Sequence, residues 1–170
     1  MLRQKPVPQR RIPGADSDAQ DVPVVVEVQQ PAAAVGLAKV FPQDRFPFPC
    51  EAVARRWADD IATLGIDCFV VEQDGAVVGF AAVRADELMH FGIALERWGT
   101  GAAQDAHDAV LDRMSGQGVT RVATSLHRQR TLRRFYERLG WTPTGERSHS
   151  TFPPYAELLR YEQGLTSSTA

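Results

Sequence analysis

Asp74-Gly75 stands between two apolar, β-branched runs at 68–72 and 77–83. A two-residue turn of this kind needs positive φ at its centre, which Asp tolerates and Gly adopts freely. It joins antiparallel neighbours, so a chain with this hairpin in its middle cannot be a plain βαβ repeat.

The rest of the chain falls into place around that hairpin. Residues 1–21 hold Pro6, Pro8, Pro13 and Gly14 with almost no apolar periodicity, and read as a disordered or loosely attached arm. The β-branched stretch 22–28 reads as a first strand. Pro31 opens a short helix over 32–40, and the proline-rich segment 41–50 is a loop. Val53, Trp57, Ile61 and Leu64 share one face of a helix over 51–64, which Gly65 caps. After the hairpin comes a strand at 87–95 and a glycine loop at 99–101. A helix bearing Ala103, Ala106, Val110 and Met114 then runs to Gly116. A strand at 119–126 and a helix bearing Leu132, Phe135, Tyr136 and Leu139, closed by Gly140, precede a final strand pair at 141–148 and 155–161. The order predicts one α/β domain over 22–163, a mixed and mostly antiparallel sheet flanked by helices, followed by a short C-terminal tail at 164–170.

A length of 170 residues suits one domain, and 44% apolar with 24% charged residues is ordinary for a globular chain. A net charge of −2 gives no general attraction to nucleic acid or to an anionic membrane, and no apolar run has membrane-spanning length. The basic N-terminus lacks a following apolar segment, so a cytoplasmic address is the simplest expectation. Two cysteines cannot form a structural zinc site, and no metal is expected. Cys50, beside Pro49, reads as an incidental loop thiol or, less simply, a nucleophile; Cys68 reads as core.

The segment 93–103, reading IALERWGTGAA, carries the chemistry. A strand ends, a glycine turn follows and a helix begins, so unpaired backbone N–H groups and the helix dipole point at one spot. Small residues let a pyrophosphate come close to that backbone; a turn that binds nothing has the same local sequence. A Walker loop would need Lys here, and a dinucleotide fingerprint would need Gly or Ala where Gln104 stands.

Trp98-Gly99-Thr100-Gly101-Ala102-Ala103 resembles the cofactor loop of the GNAT superfamily of acetyl-CoA-dependent acyltransferases at its last two fixed places. Trp98 replaces the usual Gln or Arg. A second match lies downstream, where Gln129, Leu132, Tyr136, Gly140 and Trp141 occupy the places of a pattern that often ends this family's domain. Gln129 for Asn and Leu132 for Ala depart from it. The resemblance implies a splayed fourth strand, acetyl-CoA as cosubstrate, and direct transfer of its acetyl group to a primary amine of a small molecule or protein. It also implies that Phe91, Gly92 and Ile93 pair with pantetheine, that the N–H of Phe91 faces the oxyanion, and that 98–103 hold the pyrophosphate. Gln129 and Leu132 would flank the cofactor arm. Arg128, Arg130, Arg133 and Arg134 would meet its 3′-phosphate or simply form a solvated helix face. A homodimer through the last strands also follows from the resemblance.

By the same resemblance Tyr136 is the general acid for the departing thiolate, although a tyrosine on an apolar helix face is equally a core residue. Glu87 matches a glutamate that deprotonates the amine through water. The runner-up bases are His90, which simple alternation puts on the opposite sheet face from Glu87, and His149; His107 reads as a core histidine. The acceptor, whose identity is open, would lie between loops carrying Phe41, Phe46 and Phe48 and, from the last strand pair, Phe152 and Tyr155. A non-catalytic acyl-CoA-binding module, and O-acylation or a longer acyl donor, are the alternatives.

Overall fold

The computed structural model describes residues 3–6 and 19–166. One seven-stranded sheet runs through it in the order β1-β2-β3-β4-β5-β7-β6. β1 is Arg3–Pro6, β2 Ile66–Gln73, β3 Ala76–Arg84, β4 Glu87–Ile93, β5 Arg121–His127, β6 Thr142–His149 and β7 Glu157–Gly164. The helices are α1 (Val22–Gly36), α2 (Cys50–Ala62), α3 (Ala102–Gly116) and α4 (Arg130–Arg138). The hairpin forms as the sequence demands: Asp74 and Gly75 take φ of 53° and 79°, and β2 pairs antiparallel with β3.

Two expectations near the N-terminus change. Residues 22–28, expected as a strand, are the first half of α1, and Pro31 lies inside that helix instead of opening it. Val22, Val25 and Val28 are buried at helical spacing, and it is Pro23 that occupies the first turn, where a missing N–H costs nothing. Burial of that valine face outweighs both β propensity and the interior proline. Within the segment read as a loose arm, Arg3–Pro6 pair antiparallel with β2, Arg3 opposite Glu72 and Pro6 opposite Phe69. The rest of the arm up to residue 18, and tail residues 167–170, lie outside the described residues.

Each sheet face has its own core. α1 and α2 cover one face through Val25, Val28, Val53 and Trp57 packed on Phe80 and Ala82. α3 and α4 cover the other through Val110, Met114 and Tyr136 packed on Leu88, Val122 and Tyr161.

The sheet comes apart in one place. β4 and β5 run parallel and pair only at Glu87 and Ala123. The Ala123 N–H reaches the Asp86 carbonyl at 2.9 Å, and the buried Thr124 hydroxyl donates to the Leu88 carbonyl at 2.7 Å. Beyond that apex the strands diverge into a wedge. β4 also carries a bulge: Val83 faces Leu88 while Ala82 faces His90, which leaves Met89 as an extra residue. The bulge corrects the alternation expected along β4. Leu88 packs in the α3/α4 core, while Met89 and His90 both meet the α1/α2 side. Glu87, opposite in phase to Leu88, therefore shares a face with His90.

Candidate active site

The bulge has a chemical consequence. The Ala94 N–H bonds the Val78 carbonyl at 2.7 Å, so by antiparallel alternation Gly92 also directs its polar groups at β3. Phe91 and Ile93 then direct theirs into the wedge, where no strand pairs with them. The Ile93 carbonyl is taken by the Trp98 indole N–H at 3.0 Å, which leaves the Phe91 N–H and C=O and the Ile93 N–H as the wedge's polar edge. Gly92 is required by packing, because a Cβ there would lie 2.4 Å from the Phe80 ring.

Below the wedge, the loop into α3 presents a cradle. Gly99 and Gly101 take φ of 75° and 87°, in the left-handed region, and Gly101 is the N-cap of α3. The Ala102 N–H turns back to the Thr100 hydroxyl, whereas those of Gly99, Gly101, Ala103 and Gln104 find no acceptor among the described residues. A Cβ at Gly99 or Gly101 would meet nothing within 4 Å, so a diphosphate could approach this backbone closely. Trp98, in the Gln or Arg place of the pattern, is a brace: besides its bond to Ile93, its ring lies where a Cβ on Gly36 would come within 3.1 Å.

On the α3/α4 face, Tyr136 is buried among Phe135, His107 and Trp141. Its hydroxyl has no hydrogen-bond partner among the described residues, and burial pushes its pKa well above the usual phenol value, so it is a proton donor at any working pH. His107 is the core histidine expected. The Trp141 indole donates to its Nε2 at 2.9 Å and its Nδ1 lies 3.0 Å from Asp108, which together fix the neutral Nδ1–H tautomer. Burial lowers its pKa against the opposing pull of Asp108.

Other expected residues have structural partners. The Gln129 side chain caps α4 by accepting the Leu132 N–H at 2.9 Å, and Leu132 packs on the core. Arg133 donates to the Tyr161 hydroxyl at 3.0 Å and lies near Glu137. Glu87 sits at the closed apex of the wedge, its carboxylate held by Arg84 at 3.1 Å and Arg160 at 3.5 Å. His90 meets Trp57 ring to ring at a 59° tilt and bonds Asp60 at 3.0 Å, and His149 is exposed at the end of β6. Cys68 is buried, its thiol pushed up to about 12 by desolvation and then by Asp60 and Asp67.

On the α1/α2 face a cavity of about 370 Å³ lies between the α1–α2 loop and the β6–β7 loop. Phe41, Phe46, Phe48 and Phe152 line it, as expected, while Tyr155 stands 59% exposed outside it. Residues not anticipated from sequence also line it, among them His127, the last residue of β5, Arg45 in the loop and Arg56 on α2. The His127 ring meets Phe41 edge-on, its buried Nδ1 has no partner among the described residues, and burial lowers its pKa. The cavity is therefore bordered by a neutral imidazole carried on one arm of the wedge.

Among the described residues no helix is long and apolar enough to cross a membrane, and no cluster of metal-ligating side chains is present. The profile of the acetyltransferase (GNAT) domain matches residues 38–152, more than half of the chain. No curated protein sequence matches. Solved structures similar in fold include an acetyltransferase from Thermus thermophilus (15% identity, TM-score 0.69, 97% of each chain covered). The ribosomal-protein-S18-alanine N-acetyltransferase from Escherichia coli is similar too (14%, 0.68, 100% of this chain and 99% of that one). So is the paia N-acetyltransferase from Thermoplasma acidophilum in complex with coenzyme A (13%, 0.69, 97% and 99%). With the wedge, the amide cradle and this profile match in agreement, the chain belongs to the GNAT acetyltransferase family.

Proposed function

We propose that the chain moves an acetyl group from acetyl-CoA to a primary amine in one direct step, with the wedge between β4 and β5 as the meeting place. The observation that carries this reading is the bulge at Met89, which turns the Phe91 N–H into the gap where the strands part. A thioester carbonyl in that gap would accept this N–H, and the oxyanion formed on attack would accept it more strongly. The four free amides at 99–104 suit the pyrophosphate, and the unpaired edge of Phe91 and Ile93 suits the pantetheine amides.

The amine enters from the opposite face, through the cavity. Its nitrogen forms a bond to the carbonyl carbon, the carbon–sulfur bond breaks, and the sulfur leaves as thiolate. The Tyr136 hydroxyl supplies the proton the thiolate takes up, and the phenolate is made neutral again by a proton from solvent. The nitrogen's surplus proton passes to His127, whose imidazole lines the cavity and is kept neutral by burial. Glu87 is less suited to that task, because its carboxylate is bound by two guanidiniums at the closed end of the wedge, four residues before Phe91.

The test is a panel of amines with acetyl-CoA, read by free thiol release, beside calorimetry with CoA. CoA binding with amine-dependent thiol release is expected. Binding with no release on any amine would instead make the protein a non-catalytic acyl-CoA-binding module.

A further inference from the structure

The acceptor cavity has an unbalanced charge. Its lining includes two guanidiniums, Arg45 and Arg56, and no carboxylate. Arg45 is exposed at the loop and lies over the Phe46 ring at 5.7 Å. Arg56 is deeper, with its guanidinium 5.0 Å from the centre of the Phe152 ring. Its Nε is buried with no hydrogen-bond partner among the described residues, and it forms no ion pair with any of them. Burial lowers its pKa, and only the longer-range field of Asp60 opposes this; the Asp60 carboxylate itself bonds His90. A partly buried guanidinium with no carboxylate partner, set beside apolar rings, is well placed to take an anion entering the cavity. A polycationic amine would meet two like charges in the same space.

We propose that the acceptor is an amine bearing a carboxylate on an apolar or aromatic body, an apolar α-amino acid in chemical class, with Arg56 as the carboxylate's partner. The phenylalanine rings then take the side chain. The amino group, held beside the carboxylate, lies toward His127 and the wedge. This assignment rests on the cavity being the acceptor site of the acetyl transfer proposed above.

Calorimetry on the CoA-saturated protein tests it without turnover. N-acetyl-L-phenylalanine and N-acetyl-L-leucine are each compared with the uncharged amide of the same compound. The acid of at least one pair is expected to bind roughly 10- to 100-fold more tightly than its amide, the range for one charge-assisted hydrogen-bonded contact. Arg56→Gln should remove that preference and Arg56→Lys should keep part of it. Equal binding of acid and amide, no binding of either, or a preference that survives Arg56→Gln would overturn the proposal. Should Arg56→Gln fail to fold, the wild-type acid-to-amide ratio still decides it. Parallel assays with L-phenylalanine, L-leucine, their amides and spermidine keep the two readings apart. A binding preference without thiol release leaves the carboxylate contact at Arg56 standing and removes the transfer, and with it the role of acceptor. Release on spermidine or the amides without an acid preference does the reverse.

Discussion

Tyr136 packs its ring into the core at 4% exposure, and its hydroxyl has no partner among the described residues. A hydroxyl without a protein partner adds nothing to the packing that phenylalanine would not supply. Tyr136→Phe is therefore expected to leave the melting temperature unchanged or slightly higher while lowering single-turnover acetyl transfer by roughly 10²–10⁴-fold. Wild-type turnover in a stable variant would make it a packing residue. His127 and Glu87 are separated by the pH dependence of kcat/KM. His127 is held below the usual histidine value by burial, so it is an unprotonated base at neutral pH and fails only in acid. The acid limb below about pH 6.5 should be lost, with a lower plateau, in His127→Gln. If Glu87→Gln removes that limb and His127→Gln keeps it, the base is Glu87.

The cofactor loop and the wedge are properties of elements. Gly101→Ala forces a side chain into left-handed backbone with open space around it, so about 1–2 kcal/mol of stability should go while CoA affinity falls little. Gly101→Glu carries the same strain and adds a negative charge where the pyrophosphate would lie, so CoA should bind at least about tenfold more weakly. Calorimetry beside urea denaturation checks both, and equal CoA affinity in the two folded variants would remove the phosphate assignment. This loop was legible in the sequence because its signals are local: a strand end, two glycines and a helix start within a few residues. The Asp74-Gly75 hairpin and α4 with its cap were legible for the same reason. α1 was not, since a run of valines signals strand by composition and helix only by the spacing of Val22, Val25 and Val28. The Met89 bulge was hidden as well, because one extra residue in a strand leaves no mark except a broken alternation, and β4 is too short to show one. His127 and Arg56 were missed because the cavity joins α2, the end of β5 and two loops far apart in the chain.

At the scale of the whole molecule, the proposed reaction divides the labour between the two sheet faces, with the cofactor on the α3/α4 side, the acceptor on the α1/α2 side, and the wedge as the passage between them. That arrangement buries a histidine on each face. His107, on the buried face of α3, is 1% exposed, and His127 is partly buried at the cavity. Both have pKa values lowered by burial. In the unfolded chain each imidazole takes up a proton near pH 6.5, while in the folded chain it stays neutral to lower pH. The unfolded state then binds more protons, so stability rises with pH through this window and is lost as pH falls below about 6.5. Each such group contributes a slope of up to about 1.4 kcal/mol per pH unit, and carboxylates titrate mostly below pH 5. Urea denaturation at pH 7.5 and 5.5 should therefore show a clear loss of stability in acid. His107→Gln can still accept the Trp141 N–H, so it should fold with a modest loss at pH 7.5 and a shallower slope to pH 5.5. A variant as acid-sensitive as the parent would show that His107 takes up its proton in the fold as readily as in the unfolded chain. In that case its bond from Trp141 would not hold in acid, since a doubly protonated ring has no acceptor nitrogen.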